Sequence, residues 1–427
     1  MKIAIIKERT QGENRVSASP ETVKKMIALG AEVFIESGAG TASSITDEAF
    51  KAAGAKIEHD VEKILPSSDV VLKVQPPFEK IGEREEYSFY KSGSILISHL
   101  SPFENKKNLE ELAKSQITSF SMEFIPRISR AQSMDALSSQ SNIAGYKAVI
   151  DAVAELEKAV PLMMTAAGTI QPAKVLILGA GVAGLQAIAT AKRLGAVVSA
   201  FDVRPVVKEQ VESLGAKFVE VASEEATQAE TKGGYAKEMS EDYKRKQSEL
   251  IHETLKSQDI VITTALIPGR KAPVLITREM VHDMKDGSVI VDMAVSAGGN
   301  CEYSQPGKTI KEHGVTIIGH ENIPSRVARD ASLLYARNIF NFLANMIDKE
   351  TKNVKINKED EIIRQSLITQ NGKIVHPKLS NEEIKSGERK KKLETVNSTP
   401  KKVLEKRPFL KDSPTPRKQK RTKKKVK

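Results

Sequence analysis

Short apolar runs alternate with amphipathic segments along the first 125 residues. The run Lys2–Ile6 predicts a buried strand, and the apolar spacing of Pro20–Leu29 predicts a helix that ends at Gly30. The alternation continues with strands predicted at Glu32–Glu36, Asp69–Val74, Ser94–Ser98 and Ile117–Ile125, and helices at Asp47–Ala53 and Asn105–Ser115. Strands separated by helix-length segments predict a parallel sheet with crossover helices.

A second region with this pattern begins at Lys174. The apolar run Val175–Leu178 predicts a strand, a helix is predicted to end at Leu194, and Val197–Phe201 predicts the next strand. Further strands are predicted at Lys217–Val221, Asp259–Thr264, Ser288–Ala294 and Val315–Ile318. The predicted fold class is therefore α/β, with two Rossmann-like, doubly wound parallel-sheet domains flanking a cleft.

The connecting segments predict the domain organisation. Arg127–Ser139 lacks periodicity and is interpreted as an ordered loop, whereas Ser141–Lys158 is interpreted as a helix that crosses between the domains. Ser325–Ile347 is predicted to be a long helix returning to the first domain, and Gln370–Lys373 to be a hairpin turn. The predicted domains are residues 1–140 with 325–387, residues 141–324, and a tail of residues 388–427.

The net charge of +11 is concentrated at the end of the chain. Residues 389–427 contain 17 Lys or Arg and 3 Asp or Glu, which leaves the other residues with a net charge of −3. This basic tail has too few apolar residues to offset the entropy of folding, so it is predicted to be disordered. A nucleic-acid-binding domain carries its positive charge on the folded body, so no nucleic-acid partner is expected. A tether to an anionic surface and an inert extension both stay open as roles for the tail.

The remaining composition limits the classes of site and location. Cys301 is the only cysteine, which excludes an intramolecular disulfide, and the seven histidines show no metal-ligand spacing, so no metal is expected. No apolar run reaches the roughly 20 residues of a membrane-spanning helix, and the N-terminus has no signal-peptide pattern. These features predict a cytoplasmic location.

A G-x-G-x-x-G pattern follows one predicted strand and precedes a predicted helix. In this context Gly179 allows a tight turn, Gly181 lets the backbone approach a pyrophosphate, and Gly184 lets helix and strand pack closely. Asp202 ends the next predicted strand and is expected to accept hydrogen bonds from the adenosine ribose, which favours NAD over NADP. Arg204 could instead hold a 2′-phosphate, and a glycine-rich turn without a ligand is the alternative interpretation.

A second candidate site lies in the polar loop that follows the strand ending near residue 125. Its candidate residues are Arg127, Gln132, Asp135 and Ser138. Loops at the carboxyl ends of parallel strands carry ligand contacts in such folds, although an ordinary connection between domains fits the pattern equally well.

Three cationic groups and one aromatic residue are weaker candidates. Arg15, Lys73 and His99 lie near predicted strand ends and could bind a carboxylate, or they could be surface charges and a satisfied histidine. Tyr235 follows Gly234 in a polar insertion and indicates a closing flap, with a disordered loop as the alternative.

The polar loop also resembles a known family. Arg127–Gln140 (RISRAQSMDALSSQ), followed by Asn142–Tyr146 (NIAGY), is similar to the NAD(H)-binding domain of the proton-translocating NAD(P) transhydrogenases. The likeness extends from Lys2 to about Gly387 and includes three further segments, Ile6–Glu8, Ala265–Gly269 and Val291–Ala294.

The resemblance implies specific roles in hydride transfer. Arg127, Asp135 and Ser138 would orient the nicotinamide end of NADH, Gln132 would reach toward NADP(H) on a partner subunit, and these four are the implied catalytic residues. Tyr235 would lie on a mobile loop that folds over the bound nucleotide. The implied contacts to NAD(H) are Arg127, Ile128, Ser129, Gln132, Ser133, Met134, Asp135, Ser138, Gly179, Ala180, Gly181, Val182, Gly184, Asp202, Val203, Arg204, Gly234, Tyr235 and Leu266.

The resemblance also implies an assembly. In some bacteria of this family the alpha subunit is divided into two polypeptides, and this chain resembles the first of them. It would form a homodimer and bind NAD(H). The membrane-spanning second alpha polypeptide and the beta subunit would move the proton, and the beta subunit would carry the NADP(H) domain. The implied activity is that of the Re/Si-specific transhydrogenase, with this chain peripheral at the cytoplasmic face of the bacterial inner membrane.

Alanine dehydrogenase shares the implied fold, so the differences decide between the two activities. The catalytic histidine and aspartate of that enzyme match Ser101 and Ser296 here, and His99 is offset by two residues. Amine oxidation needs a proton acceptor, whereas hydride transfer between two nicotinamide rings needs none. An amino-acid dehydrogenase that uses His99 and a non-catalytic NAD-sensing module remain the two alternative hypotheses.

Overall fold

Two large sheets, both mainly parallel, organise the chain in a computed structural model that describes residues 1–221, 239–266, 269–348 and 350–379. Residues 1–380 form one compact unit. The strands of the described residues are β1 (Lys2–Ile5), β2 (Glu32–Glu36), β3 (Lys56–Glu58), β4 (Val70–Leu72), β5 (Lys80–Ile81), β6 (Arg84–Glu85), β7 (Ile95–Ser98), β8 (Thr118–Ser121), β9 (Met163–Thr165), β10 (Gly168–Ile170), β11 (Lys174–Leu178), β12 (Val197–Phe201), β13 (Lys217–Val219), β14 (Ile260–Thr263), β15 (Val289–Asp292), β16 (Thr309–Glu312), β17 (Val315–Ile318), β18 (Leu367–Gln370) and β19 (Lys373–Ile374).

Helices cover both faces of these sheets. Their starts follow ordinary capping chemistry: α1, for example, begins where Ser19 and Thr22 form a capping box and Pro20 takes the first helical position. The α-helices in the described ranges are α1 (Pro20–Ala28), α2 (Asp47–Ala52), α3 (Val61–Ile64), α4 (Lys106–Lys114), α5 (Ala136–Glu155), α6 (Val182–Arg193), α7 (Lys208–Ser213), α8 (Glu241–Leu255), α9 (Arg278–His282), α10 (Ala328–Met346) and α11 (Glu361–Ser366).

The first sheet has the order β19-β18-β8-β7-β4-β1-β2-β3. Its six central and outer strands from β8 to β3 are parallel, and counted along the chain they have the order 3-2-1-4-5-6 of a doubly wound fold. The strands β18 and β19 add antiparallel to β8, so the last described part of the chain completes the sheet with which the chain begins.

The second sheet has the order β13-β12-β11-β14-β15-β17-β16. All its strands are parallel except β16, and the order of the first six is again 3-2-1-4-5-6. Strand order reverses between β11 and β14, and the carboxyl ends at such a point form a crevice in which doubly wound folds bind ligands.

The cores lie on both faces of each sheet. Strands such as β4, β14 and β15 are buried along their whole length, as expected of parallel strands covered by helices on both faces. In the first sheet, Phe50, Phe120 and Phe342 pack on one face, and Leu65, Leu96 and Leu109 lie in the cluster on the other. The paired clusters of the second sheet have the same arrangement.

The predicted Rossmann-like α/β fold with two parallel-sheet domains is confirmed, with differences in individual elements. The loop predicted over Arg127–Ser139 contains a 3-10 segment at Ser129–Met134, and α5 begins at Ala136 rather than near Ser141 because Asp135 caps it. The strand predicted to reach Ile125 ends at Ser121. The elements not predicted are short or exposed, namely β3, β5, β6, β9, β10, β16, α3, α7, α9 and α11.

The helix predicted over Lys237–Lys256 is observed as α8, and the turn predicted at Gln370–Lys373 joins β18 to β19. The tail predicted at 388–427 lies outside the described residues. Among the helices that are described, none combines the length and apolar character needed to cross a membrane.

Candidate functional site

The start of α5 brings two of the predicted loop residues together. The Asp135 carboxylate accepts the backbone N–H of Ser138 at 2.9 Å on Oδ1 and the Ser138 hydroxyl at 2.6 Å on Oδ2. An aspartate in this position satisfies a helix N–H that has no partner within the helix. The pair is half-buried, so its remaining oxygen lone pairs face the edge of the site.

The 3-10 segment just before α5 has one buried and one exposed side. Ala131 and Met134 are buried in the core of the first sheet, whereas Gln132 and Ser133 are exposed. Arg127 and Ser129 are also exposed, and Ile128 is half-buried against the same core. The apolar residues therefore hold the segment down while its polar residues face outward.

The glycine pattern forms the tight turn after β11. Gly179 has a positive φ of 104°, and an added Cβ would meet Thr264 Oγ1 at 2.5 Å. An added Cβ at Gly184 would collide with the Gly179 carbonyl, so close helix–strand packing requires that glycine. Gly181 faces open space and caps α6 without a side chain, which leaves the first helical N–H groups accessible. This opening suits a phosphate group.

Asp202 joins the glycine turn to Arg204. Its Oδ2 accepts the Ala180 N–H at 2.8 Å and Arg204 Nη2 at 2.8 Å, and its Oδ1 accepts the Arg204 backbone N–H and Nε, each at 2.9 Å. These four donors occupy the usual capacity of a carboxylate. A ribose diol that binds Asp202 must therefore replace part of the Arg204 interaction.

Helix α5 links the polar loop to the glycine turn. An added Cβ at Gly145 would collide with the Ala183 carbonyl in the first turn of α6, so the two helices touch at backbone distance. Asn142 on α5 also donates to Gln186 on α6 at 3.1 Å. Since Gly145 is ten residues after Asp135, the loop and the glycine turn are fixed about 15 Å apart along one helix.

The segment after β14 lies opposite the glycine turn. Thr264 donates its hydroxyl to the Gly179 carbonyl at 3.0 Å, and Leu266 is 47% exposed. The buried Asn300 accepts the Ala265 N–H and donates to the Ala265 carbonyl, at 3.1 and 2.9 Å. Sequence reasoning did not select Asn300, although its position after two glycines is a signal of a special backbone turn.

Comparison with known proteins connects this geometry to a family. The model for the alanine dehydrogenase/PNT N-terminal domain matches residues 4–144, and the model for the C-terminal domain of the same family matches residues 148–377. The chain belongs to the alanine dehydrogenase/PNT family.

Relatives within the alanine dehydrogenase/PNT family differ in how similar they are to this chain. The first of the two alpha-subunit polypeptides of the NAD(P) transhydrogenase of Rhodospirillum rubrum is 57% identical over 382 residues, covering 90% of this chain and 100% of the relative. The crystal structure of a transhydrogenase from Sinorhizobium meliloti is 47% identical with a TM-score of 0.79, covering 88% and 100%. A structure of L-alanine dehydrogenase is 26% identical with a TM-score of 0.75, covering 90% and 99%. The resemblance to the transhydrogenase is thereby confirmed.

In this member of the alanine dehydrogenase/PNT family, Arg15 is held by neighbouring side chains. Its guanidinium donates to both oxygens of Glu13, at 2.8 and 2.6 Å, to Gln140 at 2.9 Å and to Asn322 at 3.1 Å. Burial alone would raise the pKa of Glu13, but the hydrogen bonds and charge of Arg15 lower it to about 2. Arg15 therefore already has a carboxylate partner.

Lys73 is also engaged, and it is completely buried. Its ammonium lies 3.2 Å from Glu8 and 3.1 Å from Glu86, and Glu86 also accepts the Tyr90 hydroxyl at 2.7 Å. Burial alone would lower the pKa of Lys73, but the two carboxylates outweigh it and raise the pKa above its usual value. Neither the predicted carboxylate site nor a surface charge describes Lys73, since it is part of a buried ion cluster.

The residues that match the catalytic pair of alanine dehydrogenase carry no strong base. Ser101 has a positive φ of 43°, and the exposed Ser296 donates to Glu321 at 3.3 Å. His99 lies 3.6 Å from Glu123 and packs against Tyr335. Burial alone would raise the pKa of Glu123, but His99 and hydrogen bonds from Ser121 and Ser101 lower it.

Two predicted contacts, Gly234 and Tyr235, lie outside the described residues. Within the described ranges, no group of three or more His, Cys, Asp or Glu side chains is placed to hold a metal ion. The structure thus brings the predicted residues into two clusters, one around Asp135 and one around Gly181, with Val182, Val203 and Leu266 beside the second.

Proposed function

We propose that this chain is the NAD(H)-binding subunit of a proton-translocating, Re/Si-specific transhydrogenase. It transfers hydride between NADH and NADP⁺ bound on a partner subunit. The identity of 57% to the first alpha polypeptide of a transhydrogenase, over the full length of that relative, supports this assignment.

The residues around the glycine turn suit an NAD molecule. Gly181 leaves room for the pyrophosphate, and the uncapped N–H groups of α6 supply donors and a positive dipole end. Asp202 suits the two ribose hydroxyls and repels a 2′-phosphate. Because Arg204 already pairs with Asp202, it offers no separate cation for that phosphate, and NAD is favoured over NADP.

The observation that carries the proposal is the Asp135–Ser138 pair at the start of α5, the helix that also contacts the glycine turn. A bound dinucleotide supplies a hydride at C4 of its nicotinamide ring. Arg127, Asp135 and Ser138 orient that ring, and Gln132 extends toward the partner. Hydride transfer requires the two rings to approach to about 3–3.5 Å in alignment, which side chains achieve by positioning. No proton acceptor is required, in agreement with serines at positions 101 and 296.

The β9–β10 hairpin supports a homodimer. Every residue of both strands is exposed, with Met164 at 79% and the preceding Leu162 at 54% exposure. A two-stranded hairpin is marginal in water, so these apolar residues are proposed to pack on a second copy of the chain. Met164→Lys is then expected to shift the chain toward monomer in light-scattering measurements.

The remaining assignments concern domains and partners. We propose that residues 1–140 with 325–387 form the first domain and residues 141–324 the NAD-binding domain, a division supported by the return of β18 to the first sheet. We further propose a membrane-spanning second alpha polypeptide and a beta subunit as partners, with NADP(H) on the latter and proton movement through both. This chain then associates peripherally with the cytoplasmic face of the bacterial inner membrane.

Oxidation of NADH by the purified full chain tests the function under two conditions. One contains pyruvate and ammonium, and the other contains an NADP(H)-binding transhydrogenase domain with an NADP⁺ analogue. Turnover only in the second condition supports a transhydrogenase subunit. Turnover in the first would identify an amino-acid dehydrogenase using His99, and NADH binding without any turnover would identify an NAD-sensing module.

A further inference from the structure

One face of α10 carries three asparagines that contact the loop before α5. Asn338, Asn341 and Asn345 are spaced i, i+3 and i+7, so they lie on one side of a helix. Asparagine is a weak helix former, so three of them in a largely apolar helix need a reason beyond helix stability. We call these three residues the asparagine stripe.

The first two asparagines hold the end of the 3-10 segment. Both donate to the Ser133 carbonyl, Asn338 at 2.9 Å and Asn341 at 3.2 Å. Asn338 also accepts the Ser139 hydroxyl at 2.6 Å. It therefore holds the chain on both sides of Asp135.

The third asparagine acts at the other end of the segment through Asp360. Asn345 donates to Asp360 Oδ2 at 3.1 Å, and the same carboxylate accepts both terminal nitrogens of Arg130 at 3.0 and 2.6 Å. Asp360 also caps α11 through the Ile362 N–H. Hydrogen bonds from Arg130 lower the pKa of Asp360 well below its usual range, so the carboxylate is ionised at neutral pH.

We propose that the asparagine stripe and Asp360 are positioning residues for hydride transfer, holding both ends of the segment that presents Gln132 and Asp135. This inference rests on the proposed transhydrogenase function. The contacts lie on the inner side of the segment, and they leave the exposed Gln132 directed toward a partner.

The energies favour positioning over stability as the role of these contacts. The Arg130 side chain is 54% exposed, and exposed ion pairs of this kind contribute about 0–1 kcal/mol to folding. The geometry of a hydride transfer is far more sensitive, because a misplacement of about 1 Å can lower a rate by about a hundredfold. Loosening the segment should therefore affect the rate much more than the fold.

The test uses Asp360→Asn and Asn341→Ala in the full chain. Asparagine is as good a helix cap as aspartate, so Asp360→Asn keeps the start of α11 and removes only the charge that holds Arg130. The double variant is expected to lower single-turnover hydride transfer from NADH to an NADP⁺ analogue on its binding domain by about tenfold. The Kd for NADH and the Tm should stay close to those of the unchanged protein.

Two controls separate positioning from a general effect. Asp242→Asn removes a comparable exposed partner of an arginine, Arg245, on the distant helix α8, and should leave the rate unchanged. Arg130→Gln should lower the rate as Asp360→Asn does, and combining the two should add little because they remove the same interaction. Hydrogen exchange at residues 129–138 should become faster in the Asp360 and Asn341 variants only.

Each outcome decides one claim. Unchanged rates in the Asp360→Asn/Asn341→Ala variant of an active protein would overturn the positioning role, as would a rate loss matched by an equal loss of NADH affinity or of Tm. An unchanged protein that transfers no hydride to the partner domain would overturn the proposed function, and the positioning role with it.

Discussion

The two sheets of this protein share one strand order and use the same position in opposite ways. In the first sheet, the turns after β1 and β4 meet at the point where strand order reverses, and there Glu8 and Lys73 form a buried ion pair. In the second sheet, the equivalent turns after β11 and β14 carry Gly179 and Thr264, and beside them Gly181 faces open space. The fold offers a ligand crevice twice, and the side chains decide that one is filled and the other open.

The largest expected effect breaks the filled position. Lys73→Met leaves the buried carboxylates of Glu8 and Glu86 without a cation, and removing one partner of a buried ion cluster costs about 3–5 kcal/mol of unfolding free energy. Chemical denaturation measures it. Lys91→Met removes an exposed partner of Asp69 and should cost less than about 1 kcal/mol. Equal losses in the two variants would contradict a buried cluster.

A pH-dependent effect should come from Glu13 in the same region. Its pKa is about 2 in the folded protein against an ordinary 4.5, so its stabilisation is present above about pH 4.5 and is lost as the pH falls toward 2. The loss amounts to roughly 3 kcal/mol. Glu13→Gln should flatten the unfolding free energy between pH 4.5 and 2 relative to the exposed control Glu48→Gln. Parallel profiles for the two variants would disprove this.

Filling the open position should affect binding and not the fold. Gly181→Val adds a side chain where the protein has no neighbouring atoms, so the unfolding free energy should fall by at most about 1 kcal/mol, the usual effect at a helix cap. The affinity for NADH should fall at least about tenfold because the backbone can no longer approach the pyrophosphate. Titration calorimetry measures the affinity. NADH binding that is unchanged in Gly181→Val would place the nucleotide elsewhere.

The smallest expected effect sharpens the choice of nucleotide. Asp202→Asn keeps an acceptor for the Ala180 N–H and weakens the pairing with Arg204. NADH should bind about tenfold more weakly, since hydrogen bonds to a charged group contribute about 1.5–3 kcal/mol. The preference for NADH over NADPH should shrink as well. A preference that survives the change would assign nucleotide selection to other residues.

The same comparison explains how much of the molecule can be predicted from the sequence. The glycine turn is predictable because its determinants lie within a few residues of one another, between a strand and a helix. The start of α5 at Ala136 escapes prediction, although the Asp135–Ser138 spacing is a capping signal, because the segment before it lacks apolar periodicity.

The long-range contacts of the loop cannot be predicted in this way. Ser133 is held by Asn338, more than 200 positions further along the chain, and only the folded structure brings the two together. Lys73 shows the same limit, because its apolar neighbours in the sequence indicate burial but do not reveal that Glu8 and Glu86 accompany it. The functional role of the loop is indicated by family resemblance, and its geometry is visible only in the structure.

The central claim is that this chain acts by holding a nicotinamide ring in place for direct hydride transfer. Its most direct test follows deuterium from C4 of NADH, mixed with the full chain, an NADP(H)-binding transhydrogenase domain and an NADP⁺ analogue. We predict that the deuterium appears on the reduced analogue and none in water, with no labelled alanine when pyruvate and ammonium are added. Deuterium in alanine, or an unlabelled reduced analogue, would contradict the account.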